Sequence, residues 1–246
     1  MGNKRGIGAR VVRLEDPRFV TGQGRFADDV SVPETTRAYV VRSPHAHARI
    51  IAIDAAAARS APGVLAVLTG DDAVRDGLGG LACHAYPQLP PGAPHLRPVQ
   101  PILASGKVRH VGDRVAVVVA ESLAQAQSAG ELVTVHYEPL EAVTLACAPR
   151  DGTPRVWDDA RSNIAFTLER GNPAAADEQF RKAAHVTSLT VAYPRASANA
   201  LEPRSAIAYR DSVSGRLTLC TSTQSPFMVR QALAEVLHMP ESALRV

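Results

Sequence analysis

The sequence predicts a mixed α/β (α+β) chain built in two parts. Three observations carry that prediction. Two strand–helix–strand patterns follow one another, around residues 37–70 and 115–140. A proline-rich stretch separates them. A Pro-, Gly- and Asp-rich passage, APRDGTPRVWDDARSN, then divides both from a later run of strands and helices. With 246 residues, 46% of them hydrophobic and 21% charged, the chain can bury a core without disulfides or a structural metal.

The first pattern opens with AYVVRS as a strand and Ile50 to Asp54 as a second. Asp54 stands where an N-cap is needed for the short helix AAAARS, which Pro62-Gly63 stops; VLAVLT follows as a third strand. The intervening stretch, Arg75 to Gly106, holds 6 of the chain's 18 prolines within the 16 residues YPQLPPGAPHLRPVQP. Proline removes ladder donors and restricts its predecessor, so this reads as a surface excursion without regular structure, polyproline recognition by a partner being the alternative.

In the second pattern, Val115 to Ala120 is a continuous apolar run, as expected of a strand covered on both faces. Ser122 and Gln125 form the S-x-x-Q of a capping box for a helix through about Leu132. LVTVHYEPL then alternates Val133, Val135 and Tyr137 against Thr134 and His136. Past the boundary, Asn172-Pro173 is an N-cap and N1 pair for a helix with Ala176, Phe180 and Ala183 on one face. HVTSLTVAYP and SAIAYRD read as strands, the latter turning through DSVSG into RLTLCTST as a hairpin. Ser225-Pro226 opens a last helix whose Val229, Leu233, Val236 and Leu237 keep i, i+4, i+7, i+8 spacing, ended by Pro240. ALRV reads as the beginning of a further strand.

Several function classes drop out. A net charge of +3 and 4% aromatics provide neither a phosphate-backbone footprint nor stacking platforms for bases, so no nucleic-acid partner is expected. No apolar run approaches the roughly 18–20 residues of a membrane helix. The N-terminus lacks the apolar core of a Sec signal, and Gly6 stands where a myristoylation motif has Ser or Thr. The expected location is the cytoplasm, with periplasmic export alongside a partner subunit as the alternative. Cys83, Cys147 and Cys220 are too scattered for a secreted disulfide framework and too few for a self-contained iron–sulfur cluster.

His45 and His47, two apart in SPHAHARI, would share a face on a strand, but two ligands do not complete a metal site; strand-end packing or hydrogen bonding is the expected role. Gly6-Ile7-Gly8 and Gly22-Gln23-Gly24 leave G-x-G-x-x-G incomplete and read as turns with positive φ. The acidic pairs Asp28-Asp29, Asp71-Asp72 and Asp158-Asp159 are expected to solvate or cap turns. Nucleophile-elbow, Walker and H-E-x-x-H motifs are missing.

The motifs VVRLEDPRFVTGQGRFADDV, VVRSPHAHARIIAID, PGVLAVLTGDD, KVRHVGDRVAVVVAES and ELVTVHYEPLEAV, followed by ALEPRSAIAYRD and RLTLCTSTQSPFMVRQALAEVLHMPESALRV, together resemble the molybdenum hydroxylase large subunit. This is the xanthine dehydrogenase/aldehyde oxidase family, and the wording is most like its bacterial members of the carbon monoxide dehydrogenase large-subunit type. The resemblance implies an α/β hammerhead domain over residues 1–150, with an N-terminal extension and the proline-rich loop at about 75–106. It implies the start of a molybdopterin-binding domain over 160–246.

It further implies a molybdenum-pterin cofactor and oxidation of aldehydes, N-heterocycles or carbon monoxide. Electrons would leave through an iron–sulfur small subunit and a FAD-binding medium subunit, in a dimer of heterotrimers, with no iron–sulfur or flavin group in this chain. The family's GGGFG cofactor loop and its glutamate base are expected beyond Val246. Gln224 in TSTQSP matches a recurrent position before a helix N-terminus, from which an amide can approach a pterin phosphate, ordinary capping being the competing role. Glu202 and Arg204 match a second motif, read as a structural ion pair or turn. Ala196 occupies a position where some members carry a metal-facing Gln. The other reading of the chain is a non-catalytic docking or assembly module derived from this family.

Overall fold

A computed structural model describes residues 6–7, 11–83, 88–89, 92, 95–144, 153–194, 196–200 and 202–246. In chain order these form α1 (Asp16–Val20), β1 (Arg37–Arg42), β2 (Ala48–Asp54), α2 (Ala56–Arg59), β3 (Val64–Thr69), α3 (Gly70–Arg75), β4 (Gly80–Leu81), β5 (Gln100–Pro101) and β6 (Lys107–Val108). Then come β7 (Arg114–Ala120), α4 (Leu123–Glu131), β8 (Thr134–Pro139), α5 (Pro173–Lys182), β9 (Ala206–Arg210), β10 (Leu217–Thr221), α6 (Pro226–Leu237) and β11 (Leu244–Arg245). They group into two compact units. The larger comprises Thr36–Ala198 with Ala232–Met239; the smaller comprises the described part of Met1–Thr35 with Asn199–Gln231 and Pro240–Val246.

Strand β7 organises the larger unit. Its apolar run places it at the centre of an antiparallel sheet ordered β1-β7-β3, where Val117 faces Val40 on one side and Leu68 on the other. A second antiparallel sheet is ordered β6-β2-β8. The two strand–helix–strand patterns are therefore interlaced, since the strands flanking each helix lie in different sheets. Helix α4 covers the first sheet through its smallest residues, Ala126, Ala129 and Gly130, all buried against Val67, Ala116, Val118 and Ala120. Gly130 is required there, because a Cβ would strike the Tyr39 ring. A neighbouring core joins Ala48, Ala104, Val108 and Val115 to Ile50 and Tyr137. Along β8 the expected alternation holds, with Val133, Val135 and Tyr137 inward and Thr134 and His136 exposed.

The caps differ in detail from the sequence reading. Asp54 does accept the Ala56 amide, at 3.0 Å, yet the N-cap position of α2 is Ala55 and the helix runs only four residues. Ser122 Oγ accepts from the Gln125 amide at 3.3 Å, but donates to Gln125 Oε1 at 2.6 Å. The side chain of Gln125 is thus held by the hydroxyl in place of the Ser122 backbone N–H. The reciprocal capping box lies instead at Thr69 and Asp72, opening the unforeseen helix α3. There the Thr69 amide donates to Asp72 Oδ2 at 2.8 Å, and the Asp72 amide donates to Thr69 Oγ1 at 3.4 Å. These hydrogen bonds, the Thr69 hydroxyl first and the Arg75 guanidinium besides, hold the Asp72 carboxyl down at about 2.

Four further expectations need correction. The excursion between Arg75 and Gly106 is not wholly irregular, since Gly80–Leu81 and Gln100–Pro101 pair as a two-residue ladder. HVTSLTVAYP forms no strand: among the described residues no strand pairs with it, and Val186, Leu189, Val191 and Tyr193 are exposed. Helix α5 is capped as expected, Asn172 Oδ1 accepting the Ala175 amide at 3.0 Å, but Ala176 and Phe180 are exposed and Ala183 is its C-cap. Helix α6 ends at Leu237, before Pro240: His238 turns left-handed at φ 51 and the Met239 amide closes on the Ala234 carbonyl at 3.1 Å.

In the smaller unit β9 and β10 make the expected hairpin, and β11 adds to β10 in parallel. Asp211 fixes the turn by accepting the Ser214 amide and hydroxyl at 2.6 and 2.7 Å, which holds its carboxyl below the usual range.

Candidate functional site

The smaller unit places one group of polar residues where a strand hands over to a helix. Strand β10 ends at Thr221, whose hydroxyl donates to the Ser205 carbonyl at 2.8 Å. Ser222 Oγ then donates to Glu202 Oε1 at 2.7 Å, tying the turn to the LEPR motif. Thr223 Oγ1 accepts the Ser225 amide at 3.1 Å, and the Ser225 carbonyl accepts the first helical N–H, from Val229, at 3.1 Å. Gln224 lies exposed at the tip. Proline at the first helical position has no N–H, so the Phe227 and Met228 amides are the helix-start donors without a helical acceptor. No acidic residue stands in the first turn of this 12-residue helix; the carboxylate at its entry is that of Glu202, held by Ser222.

The donor set is therefore two backbone N–H groups and one exposed primary amide. It suits the oxygens of an anionic group such as a phosphate. It holds no thiolate, imidazole or carboxylate cage, and no group of three or more His, Cys, Asp or Glu is brought together among the described residues. Exposed Phe227 and Met228 add an apolar shoulder; Arg230 stacks over Phe227 at 5.5 Å while paired with Glu241 at 2.8 Å.

Comparison with known proteins bears on both regions. Residues 21–141 match the model of the aldehyde oxidase and xanthine dehydrogenase a/b hammerhead domain, and residues 156–246 match the molybdopterin cofactor-binding domain. The chain belongs to the aldehyde oxidase and xanthine dehydrogenase family. It is 35% identical to the carbon monoxide dehydrogenase large chain of Afipia carboxidovorans, over 98% of this chain and 30% of that protein. It is equally 35% identical to the nicotine 6-hydroxylase large subunit of Paenarthrobacter nicotinovorans, over 98% of this chain and 29% of that protein. The solved structure of quinoline 2-oxidoreductase from Pseudomonas putida 86 superposes with a TM-score of 0.85 at 36% identity, covering 97% of this chain and 29% of that one. The chain thus spans about 30% of the length of these relatives.

Within this family member, the other sequence-selected residues fall as follows. His45 and His47 precede β2 and are not on a strand. His47 is buried and its Nδ1–H donates to the Glu141 carbonyl at 2.8 Å, while the His45 ring meets Tyr137 edge-on at 4.8 Å. Both serve packing and hydrogen bonding. Gly6 and Gly22 have φ of 114 and 71, whereas Gly24 keeps negative φ and Gly8 lies outside the described residues. The acidic pairs cap or pair: Asp29 accepts the Phe26 amide, Asp71 accepts the Ser105 hydroxyl, and Asp158 is bound by Lys107. Cys83 and Cys220 are free thiols; Cys147 lies outside the described residues. Arg204 and Ala196 are exposed, and the contact that Glu202 makes is to Ser222. Sequence reasoning missed Thr223 and the two helix-start amides that lack a helical acceptor. The Ser-Pro helix opening with no acid behind it was the available indication.

Proposed function

We propose that this chain supplies the hammerhead, residues 1–150, and the opening of the cofactor domain, residues 160–246, of a molybdenum-pterin oxidoreductase large subunit acting on an aldehyde, an N-heterocycle or carbon monoxide. The match of residues 156–246 to the molybdopterin cofactor-binding domain carries this reading. Bound, the cofactor supplies a Lewis-acidic redox centre. The chain's own part is to orient it: Gln224 and the Phe227 and Met228 amides donate to its anionic oxygens. Thr223 and the Ser222–Glu202 bond hold the turn in place. The proton-abstracting glutamate is assigned to sequence beyond Val246. An iron–sulfur small subunit and a FAD-binding medium subunit complete the electron path, in a dimer of heterotrimers assembled in the cytoplasm; the free thiols Cys83 and Cys220 support a reducing compartment. No helix among the described residues is long and apolar enough to cross a membrane.

The test is purification of the chain with the polypeptides encoded beside it, from cells given molybdate, followed by metal and pterin analysis. Stoichiometric molybdenum and pterin are expected, and Gln224→Ala should lower the pterin content severalfold. A folded complex holding the iron–sulfur and flavin subunits but neither molybdenum nor pterin would overturn the proposal in favour of a docking module.

A further inference from the structure

A cavity of about 500 Å³ lies within the larger unit, between the proline-rich segment and the strip containing Trp157. That volume suits a small organic molecule. Its walls are mostly apolar, from Leu81, Pro98, Pro101 and Val156, with the indole of Trp157 as a flat surface. Its polar lining is Arg109, His110 and Asp113, with Gln100 from the proline-rich segment.

Arg109 decides what the cavity would recognise. Its guanidinium sits 4.0 Å from the Trp157 ring centroid, fixed by Nε–H donation to the Val156 carbonyl at 3.2 Å and Nη1 donation to the Lys107 carbonyl at 3.3 Å. A guanidinium has five N–H donors, so most of its capacity is unspent. The nearby carboxylates are already satisfied. Asp158 is gripped by Lys107 Nζ at 2.7 and 2.8 Å, and Asp113 accepts the Arg109 and Arg114 amides at 3.1 Å each, with His110 Nε2 at 3.7 Å. Arg109 lines the cavity, whereas Lys107 and Arg114 do not, so Arg109 is the arginine that meets a guest there.

We infer that this cavity binds a small planar aromatic carboxylate, its ring packed among Leu81, Pro98, Pro101 and Val156 beside the indole and its carboxylate held by the free N–H groups of Arg109. This inference is independent of the family's reaction and of the Gln224 turn.

Trp157 is the chain's single tryptophan, so its emission reports on the cavity directly. Titration of the full chain with benzoate should quench Trp157 saturably, and benzylamine, the same ring bearing a cation, should bind at least about tenfold more weakly. Arg109→Gln should weaken benzoate about tenfold or more. Because that change also loosens the Trp157 strip, Gln100→Phe is the second variant: it fills the cavity from a lining position that does not hold Trp157 and should abolish quenching while leaving the far-UV spectrum unchanged. Failure of benzoate to perturb Trp157, equal binding of benzylamine, or full binding by Gln100→Phe would each overturn the inference.

Discussion

The sheet centred on β7 and the sheet centred on β10 have the same number of strands but different degrees of enclosure. In β7, Val115, Ala116, Val118 and Ala120 are all buried, flanked by strands on both edges and roofed by α4. In β10 only Thr218 is buried, and its Oγ1, like the Oγ of Ser205 beside the sheet, is enclosed without a hydrogen-bond partner. The first sheet draws its stability from apolar area removed from water; the second does so weakly, and the end of its central strand leads into the polar turn proposed to meet the cofactor. The well-packed sheet and the turn proposed to meet the cofactor are thus separated along the chain.

The separation can be tested by substitution. Val118→Ala, in a fully buried side chain, should cost about 2–3 kcal/mol in urea unfolding of the larger unit. Acid should act next. The folded-state pKa of Asp72 lies at about 2 against an ordinary 3.8, so its contribution is complete above pH ~4 and is lost as pH falls toward ~2. On the order of 1–2 kcal/mol is expected to disappear over that window. Thr69→Val removes the principal cause and should shift that loss to higher pH. Leu219→Ala, half-buried in β10, should cost about 1 kcal/mol or less. Gln224→Ala should leave stability within about 0.5 kcal/mol while lowering pterin content. A Leu219 effect as large as that of Val118 would erase the distinction between the two sheets.

What could be read from the sequence followed the range of the interaction. The apolar run of β7, the alternation along β8 and the Asn172-Pro173 cap are local, and all are seen. Pairing was not legible, because periodicity reports which face a strand buries and not which strand it meets. Helix α3 escaped because it is short and its box uses Asp72 where Glu or Gln is usual. HVTSLTVAYP misled in the opposite direction: β-branched residues favour an extended backbone, but a strand also needs a neighbour to accept its hydrogen bonds. His45 and His47, expected in strand-end packing or hydrogen bonding, do both just before the strand that begins at Ala48. Gln224 was found from its position in a motif, while the two helix-start amides beside it carry no side-chain identity to betray them.

The interlaced sheets bear on the order of events during synthesis. Arg37 pairs with Ala120, Val64 with the same residue, and Ala48 with Pro139. Neither β1 nor β3 has its central strand until β7 has left the ribosome, and β2 lacks its longer partner until β8 follows. At roughly 5–20 residues per second, the first three strands wait on the order of ten seconds with open edges. The hammerhead is thus completed late by construction, its nascent first half being a natural client for chaperones that shield unpaired strands.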